Sequence, residues 1–293
     1  MSSTKRPPWA RFKARYTKEF YEMSRLLNKY SLNTVCRDAH CPNIFLCWGR
    51  GTATFMILGD TCTRRCGFCS VKHGDPGGHV DWDEPRRVAE AVRELGLKYV
   101  VITSVYRDDL PDGGASVYAE TIRMIRRLCG DISIEVLVPD FNLDIDSIKM
   151  VVEAGPDVFA HNIETVERLT PIVRDRRAGY RKSLEVLRVA KKYGARLTKS
   201  GLMLGLGEAM DEVLSAMRDL RSVGVDILTI GQYLPPTKNH LPVAEYVHPS
   251  VFAYLRRVGM DMGFKYVFSG PRVRSSFLSD HYINVVGGGY GGV

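Results

Sequence analysis

No stretch of the chain approaches the roughly eighteen consecutive apolar residues of a membrane-spanning helix, so a membrane partner is not expected. The opening residues, MSSTKRPPWARFKARY, are basic but lack the apolar run of a secretory signal, and the expected compartment is the cytoplasm. The seven histidines form neither an HxxxH nor an HxH metal pattern. There is no aromatic RNP-like strand and no zinc-finger spacing, so nucleic acid is not read as a partner despite a formal charge of +8. That surplus, 41 Lys and Arg against 33 Asp and Glu, suits an acidic partner such as a carrier protein and equally suits a merely solvated surface. Cysteine is nearly absent outside one short stretch: of seven, six fall between Cys36 and Cys69. An odd total in a chain without an export signal argues against a disulfide framework, and gathered cytosolic thiols are more often a metal or catalytic site.

What is present is a rhythm. Before residue 31 the chain reads as a basic, partly helical arm with Phe20, Met23, Leu26 and Leu27 on one face. Residues 31–51, punctuated by Cys, Gly and Pro, read as irregular. Strand-like runs follow at 54–58, 99–103, 132–138, 157–160, 196–204 and 226–230. Helix-like stretches lie between them near 84–96, 115–129, 144–154, 180–193, 209–223 and 249–262, and a last short run, KYVF, covers 265–268. Strands alternating with helices mean βαβ units and a parallel sheet. Six units fall two short of a closed eight-fold barrel. A partial barrel is the simplest reading, and the periodicity fits a doubly wound sheet equally well. The closing GGGYGGV, 287–293, reads as a flexible tail, since its glycines do not join a strand to a helix.

Directly after the first strand-like run comes Cys62-Thr-Arg-Arg-Cys66-Gly-Phe-Cys69, a CxxxCxxC pattern at the strand end where parallel α/β folds place their chemistry. Three thiolates on a short loop can hold three corners of a cubane iron–sulfur cluster and leave its fourth iron open. A structural zinc wants four closed ligands, typically in CxxC pairs, and that pattern is missing. With these residues the chain resembles the radical S-adenosylmethionine superfamily. The resemblance implies that the open iron chelates the amino and carboxylate groups of S-adenosylmethionine, and that reductive cleavage gives a 5′-deoxyadenosyl radical. Phe68 suits the apolar cover that such a cluster needs.

A second set, Cys36-x4-Cys41-x5-Cys47, is again one ligand short. Alone it is a moderate signal: His40 leaves zinc open, and thiols beside Phe45 and Trp48 could simply pack. This spacing ahead of CxxxCxxC resembles the lipoyl synthase family, in which it holds an auxiliary cluster. Arg274-Ser275-Ser276-Phe277 resembles that family's Arg-Ser-Ser-Tyr motif, which implies Ser276 as the fourth ligand. A hard alkoxide matches a soft iron–sulfur site poorly and can leave when the cluster is dismantled.

The resemblance runs from about Val35 to Ser276 and includes TSVYRDDLPDGGA (103–115), HNIETV (161–166), TKSGLMLGLGE (198–208) and LTIGQYLPP (228–236). By superfamily analogy it implies Ser104, Arg107 and Asp108 near the methionine moiety, Asn162 and Glu164 near the ribose, and Gln232 near the adenine. Tyr106, Ala160 and Phe277 depart from the family pattern. The fold it implies is a six-unit partial (β/α) barrel (52–270), with a cluster-binding extension (1–51) and a C-terminal segment (271–293). The activity it implies is insertion of two sulfur atoms at C6 and C8 of a protein-bound octanoyl group. Two [4Fe-4S] clusters and S-adenosylmethionine would serve it. Expected partners are an octanoylated lipoyl carrier domain (a 2-oxoacid dehydrogenase subunit or a glycine cleavage carrier protein), an electron donor such as ferredoxin or flavodoxin, and an iron–sulfur carrier. Rival readings are another two-cluster radical enzyme and a plain electron carrier. Cys129, ending a helix-like stretch, is expected to be a buried structural thiol.

Overall fold

The computed structural model describes residues 6–11, 15–50 and 52–277, so the 287–293 tail lies outside the described residues. An N-terminal helix α1 (Lys18–Lys29) leads to a short strand β1 (Asn33–Thr34) and two short helices, α2 (Val35–Asp38) and α3 (Ile44–Trp48). The alternating part follows as β2 (Thr54–Ile57), α4 (Glu84–Glu94), β3 (Tyr99–Ser104), α5 (Ala115–Cys129), β4 (Ser133–Leu137), α6 (Ile145–Glu153) and β5 (Val158–Ala160). It continues through α7 (Thr170–Val173), α8 (Tyr180–Lys192), β6 (Leu197–Leu204), α9 (Met210–Ser222), β7 (Ile227–Gln232), α10 (Pro249–Asp261) and β8 (Tyr266–Gly270).

The eight strands form one sheet whose spatial order is the chain order, β1 to β8. Strands β2 to β8 pair in parallel, and β1 lies antiparallel on β2. A doubly wound sheet reverses strand order at a switch point, and this one does not, which decides between the two readings of the periodicity. Among the described residues β8 is not paired back to β1 or β2, so the sheet is a partial barrel with an open seam. One cavity touches inward residues of β2, β3, β4, β6 and β7, as a curled sheet requires. Strands β2 to β7 are largely buried on both faces, as expected where helices cover the outside and side chains fill the inside, and β8 at the seam is mostly half-buried.

Residues 31–50 are not wholly irregular. Thr34 caps α2 by accepting the Arg37 N–H at 3.3 Å, and each short helix carries a cysteine, Cys36 on α2 and Cys47 on α3. Helices of four or five residues are too short to show a 3.6-residue period. Two strand ends bear on the seam. Asn43 donates its side-chain N–H to the Arg272 carbonyl at 2.7 Å, and Thr54 donates to Ser276 Oγ at 2.8 Å. Phe268 of β8 stacks on Phe277 with centroids 5.9 Å apart. The N-terminal extension and the segment after β8 therefore meet across the open side. Cys129 is half-buried rather than buried, because it sits on the last turn of α5 with its thiol toward the Ala89 carbonyl, 3.6 Å away.

Candidate active site at the barrel mouth

A single cavity of about 480 Å³ is lined by all six clustered cysteines, by Ser276, and by the upper residues of the strands. The two sets of thiols thus share one chamber. Among the described residues no three His, Cys, Asp or Glu side chains are gathered as a ready-made ion site.

Residues 62–69 leave β2 and are gripped from three sides. The Sγ of Cys62 accepts N–H groups from Arg64 at 3.4 Å and Tyr106 at 3.3 Å. The Sγ of Cys66 accepts the Asp175 N–H at 3.4 Å. Gly67 donates its N–H to the Val173 carbonyl at the end of α7, and its carbonyl accepts from Leu241. Asp175 also takes the Arg65 N–H at 2.9 Å and pairs with Arg177, whose guanidinium reaches Thr63 O and Asp108. N–H donors aimed at thiolate sulfur are among the means by which proteins set a cluster's potential.

Within the loop Arg64 is buried, 3 % exposed. It donates to Asp108 at 2.7 Å, to Asp140 at 2.6 Å and to Asn142 at 2.9 Å, with its guanidinium 3.9 Å from the Tyr106 ring. Burial alone would raise the Asp140 carboxyl, but Arg64 outweighs it and holds the group below the usual carboxylate range.

The second set lies at the seam. Cys36, Cys41 and Cys47 feel one another electrostatically, and Thr54 at the start of β2 reaches both the Cys36 thiol and Ser276 Oγ. Ser276 is thereby brought to the same wall, 222 residues along the chain from Thr54. The crossing depends on Gly231, where an added Cβ would lie 2.1 Å from the Val273 carbonyl. Only a glycine there lets the segment after β8 pass so close to β7.

Of the expected S-adenosylmethionine contacts, Ser104 on the methionine side and Asn162, Glu164 and Gln232 on the nucleoside side line the cavity. Arg107 and Asp108 do not. Arg107 is buried against Asp109 at 2.7 Å and the carbonyls of Leu58 and His79, and Asp108 is spent on Arg64 and Thr63. Gln232 faces the cavity, yet its amide is already saturated by the backbone of Leu204, Tyr233, Glu245 and Val247. Asn162 keeps a buried, unpartnered Oδ1 beside Glu164, to whose Oε1 it donates at 3.1 Å. Glu164 is held at φ +68° and burial raises its carboxyl.

The sequence reading passed over Arg174. It is buried on the cavity wall, donates to Ser183 Oγ at 2.7 Å, and leaves its Nε without a partner. Ser183 in turn meets His161 Nε2 at 2.9 Å, while His161 Nδ1 donates to the Val138 carbonyl at 2.8 Å. A carbonyl can only accept, so Nδ1 carries a proton, and Ser183, which accepts from Arg174, can donate its own O–H to an unprotonated Nε2, as a neutral imidazole requires. Burial, joined by the charge of Arg174, pushes His161 down to about 4 and keeps it so. No local signal in VRDRR marks which arginine turns inward.

The donor set fits iron–sulfur clusters and a polar nucleoside ligand. Burial pushes the Cys36 thiol up to about 11 and those of Cys47 and Cys69 up to about 12, with neighbouring thiols adding to the rise. Bare thiolates are disfavoured there, whereas iron would hold them deprotonated. The unpartnered Asn162 Oδ1 and Arg174 Nε offer an acceptor and a donor to something polar.

The curled parallel sheet with a three-cysteine loop after its first parallel strand is the architecture of radical S-adenosylmethionine enzymes, and the chain belongs to that superfamily: residues 56–220 match the Radical SAM superfamily model. Solved structures agree on the fold, among them a maturase of the [FeFe]-hydrogenase (TM-score 0.57, 18% identity, 72% of this chain and 50% of that one) and methylornithine synthase (TM-score 0.53, 15% identity, 85% and 70%). Within the superfamily the chain is a member of the lipoyl synthase family. It is 59% identical to the lipoyl synthase of Pyrobaculum arsenaticum over 94% of this chain and 93% of that one, and 52% identical to that of Caldicellulosiruptor saccharolyticus over 98% and 100%. The Thermus thermophilus lipoyl synthase is 53% identical over 94% and 85%. Among the described residues no helix is long and apolar enough to cross a membrane.

Proposed function

We infer that this enzyme inserts two sulfur atoms at C6 and C8 of an octanoyl group amide-linked to a carrier-protein lysine. The observation that carries this reading is the meeting of two three-cysteine sets and Ser276 on the wall of one cavity. Those C–H bonds are unactivated and beyond the reach of any side-chain base; bound [4Fe-4S] clusters and S-adenosylmethionine supply the radical chemistry and the sulfur. Cys62, Cys66 and Cys69 would hold the cluster that faces S-adenosylmethionine. Cys36, Cys41, Cys47 and Ser276 would hold the sulfur-donating one.

The remaining work belongs to the chain. The buried Asn162 and Arg174 and the half-buried Glu164 orient a nucleoside and its charged groups at the barrel mouth. The grip of Val173, Asp175 and Leu241 on residues 65–67 fixes one set of thiols relative to the other. Thr54 keeps the Ser276 hydroxyl beside the second set. An acidic, octanoylated carrier domain of a 2-oxoacid dehydrogenase or of glycine cleavage is the macromolecular substrate. A ferredoxin or flavodoxin would supply electrons and an iron–sulfur carrier would rebuild the consumed cluster.

The test is anaerobic: reconstituted protein, S-adenosylmethionine, dithionite and an octanoyl-lysine peptide, with products read by mass spectrometry. Two four-iron clusters and a peptide carrying two added sulfurs are expected. Clusters and 5′-deoxyadenosine without a thiolated peptide would refute sulfur insertion and leave a radical enzyme of another substrate.

A further inference from the structure

Parity along the parallel strands puts Tyr99, Val101 and Thr103 of β3 on the inner wall, opposite Gly201 and Met203 of β6, and all five line the cavity. Tyr99 is the first residue of its strand and stands at the closed end of the barrel. Its hydroxyl donates to Glu135 Oε2 at 2.6 Å, and Glu135 Oε1 accepts from Lys199 Nζ at 2.7 Å. Both of these charged side chains are 0 % exposed. Val158, Leu197 and Ile227, near the starts of β5, β6 and β7, pack with Tyr266 as a separate small apolar cluster. The lumen therefore ends on a tethered aromatic ring. Behind that ring lies a fully buried ion pair, and then a sealed floor.

We propose that Tyr99 is a specificity-determining residue that sets the length of acyl chain the lumen accepts. The proposal rests on the sulfur-insertion reading above. A saturated chain has no group to bond the Glu135–Lys199 pair. Carbons beyond the ring would have to displace a hydrogen-bonded hydroxyl and leave a buried carboxylate short of a partner. A bulkier wall discriminates among chains, and in an apolar pocket one methylene is commonly worth about tenfold or more in relative turnover. Tyr99 touches the substrate's far end and takes no part in the bond-breaking steps.

The experiment compares the full-length reconstituted enzyme with Tyr99→Ala and Tyr99→Phe on octanoyl-lysine and decanoyl-lysine peptides in competition. Thiolated products are quantified, and binding of the same two peptides is measured without turnover. The wild type should favour octanoyl at least tenfold. Tyr99→Ala should reduce that preference by tenfold or more in both readouts, and Tyr99→Phe, which keeps the ring and loses only the tether to Glu135, should reduce it by less. An unchanged ratio in Tyr99→Ala overturns the proposal, and so does an equal shift in Tyr99→Phe. Should Tyr99→Ala not fold, as judged by circular dichroism and iron content, Tyr99→Leu is put through the same comparison and judged by the same ratio. If the wild type thiolates neither peptide, the sulfur-insertion reading falls and this proposal with it; if octanoyl is thiolated and the ratio does not move, Tyr99 alone is refuted.

Discussion

Replacing Arg64 by Met would remove the buried cation of the CxxxCxxC loop while roughly keeping its volume. Arg64 is 1 % exposed in its side chain and Asp140 is 0 % exposed, so the lost bonds at 2.6 and 2.8 Å leave a carboxylate in a dry site. What remains to it is the Asn142 N–H at 3.0 Å and Lys182, whose Nζ lies 3.9 Å away. Breaking a buried pair by removing one partner costs about 3–5 kcal/mol, because the survivor stays uncompensated. The pH dependence sharpens the claim. In the native protein the Asp140 carboxyl lies below its unfolded value, so its contribution is present at neutral pH and is lost as pH falls through the folded pKa. In the Met variant burial acts unopposed and raises that carboxyl, so acidification relieves the penalty. The deficit of the variant should therefore be largest near neutrality and shrink toward pH 5. Anaerobic urea unfolding of the metal-free, reduced protein at both pH values measures it. A deficit under about 1 kcal/mol, or one equal at the two pH values, would refute the reasoning.

Substituting Cys62, Cys66 and Cys69 together by Ala should halve iron content and abolish S-adenosylmethionine cleavage, whereas the same change at Cys36, Cys41 and Cys47 should halve iron yet keep cleavage, without thiolated product. Iron assay and chromatography of 5′-deoxyadenosine separate the two outcomes. Gly231→Ala puts a Cβ against the Val273 carbonyl and should push the Ser276 segment from the seam, lowering loading of the second cluster while the first keeps its spectrum. In the metal-free protein the Cys47 and Cys69 thiols, raised to about 12, should alkylate on the order of a thousandfold more slowly than free cysteine at pH 8 and gain about tenfold per pH unit. Mass-spectrometric labelling at two pH values checks both numbers.

The barrel was legible because its signal is repeated. The six longer helices between the parallel strands fall within about two residues of where the 3.6-residue spacing put them, and the last run, KYVF, became β8. What was illegible is pairing across distance. The Lys199 of TKSGLML reads like any polar residue in a strand, and its burial follows from Glu135, 64 residues earlier. Arg107 and Asp108 stand side by side in a motif that points to a ligand. In the fold one pairs with Asp109 and the other with Arg64, 44 residues away. The cysteines were visible by spacing alone. Their convergence with Ser276 was not, since it depends on how the two ends of the chain meet.

That meeting explains why the barrel is left incomplete. A closed eight-strand barrel fills its interior with side chains and opens only at its mouth. Here the sheet stops at β8, and the gap is covered by α2, α3 and residues 271–277, which are the segments carrying Cys36, Cys41, Cys47 and Ser276. A sulfur donor held there reaches the lumen from the side, while the loop after β2 reaches it from above. A chain lying in the lumen against Tyr99 can then be approached by both without moving between sites. Among the described residues Asn43, Thr54 and Arg272 each tie the two ends together by a hydrogen bond, the last to the Arg11 carbonyl at 3.2 Å, while residues 62–69 are held by several such bonds and by the Asp175–Arg177 pair.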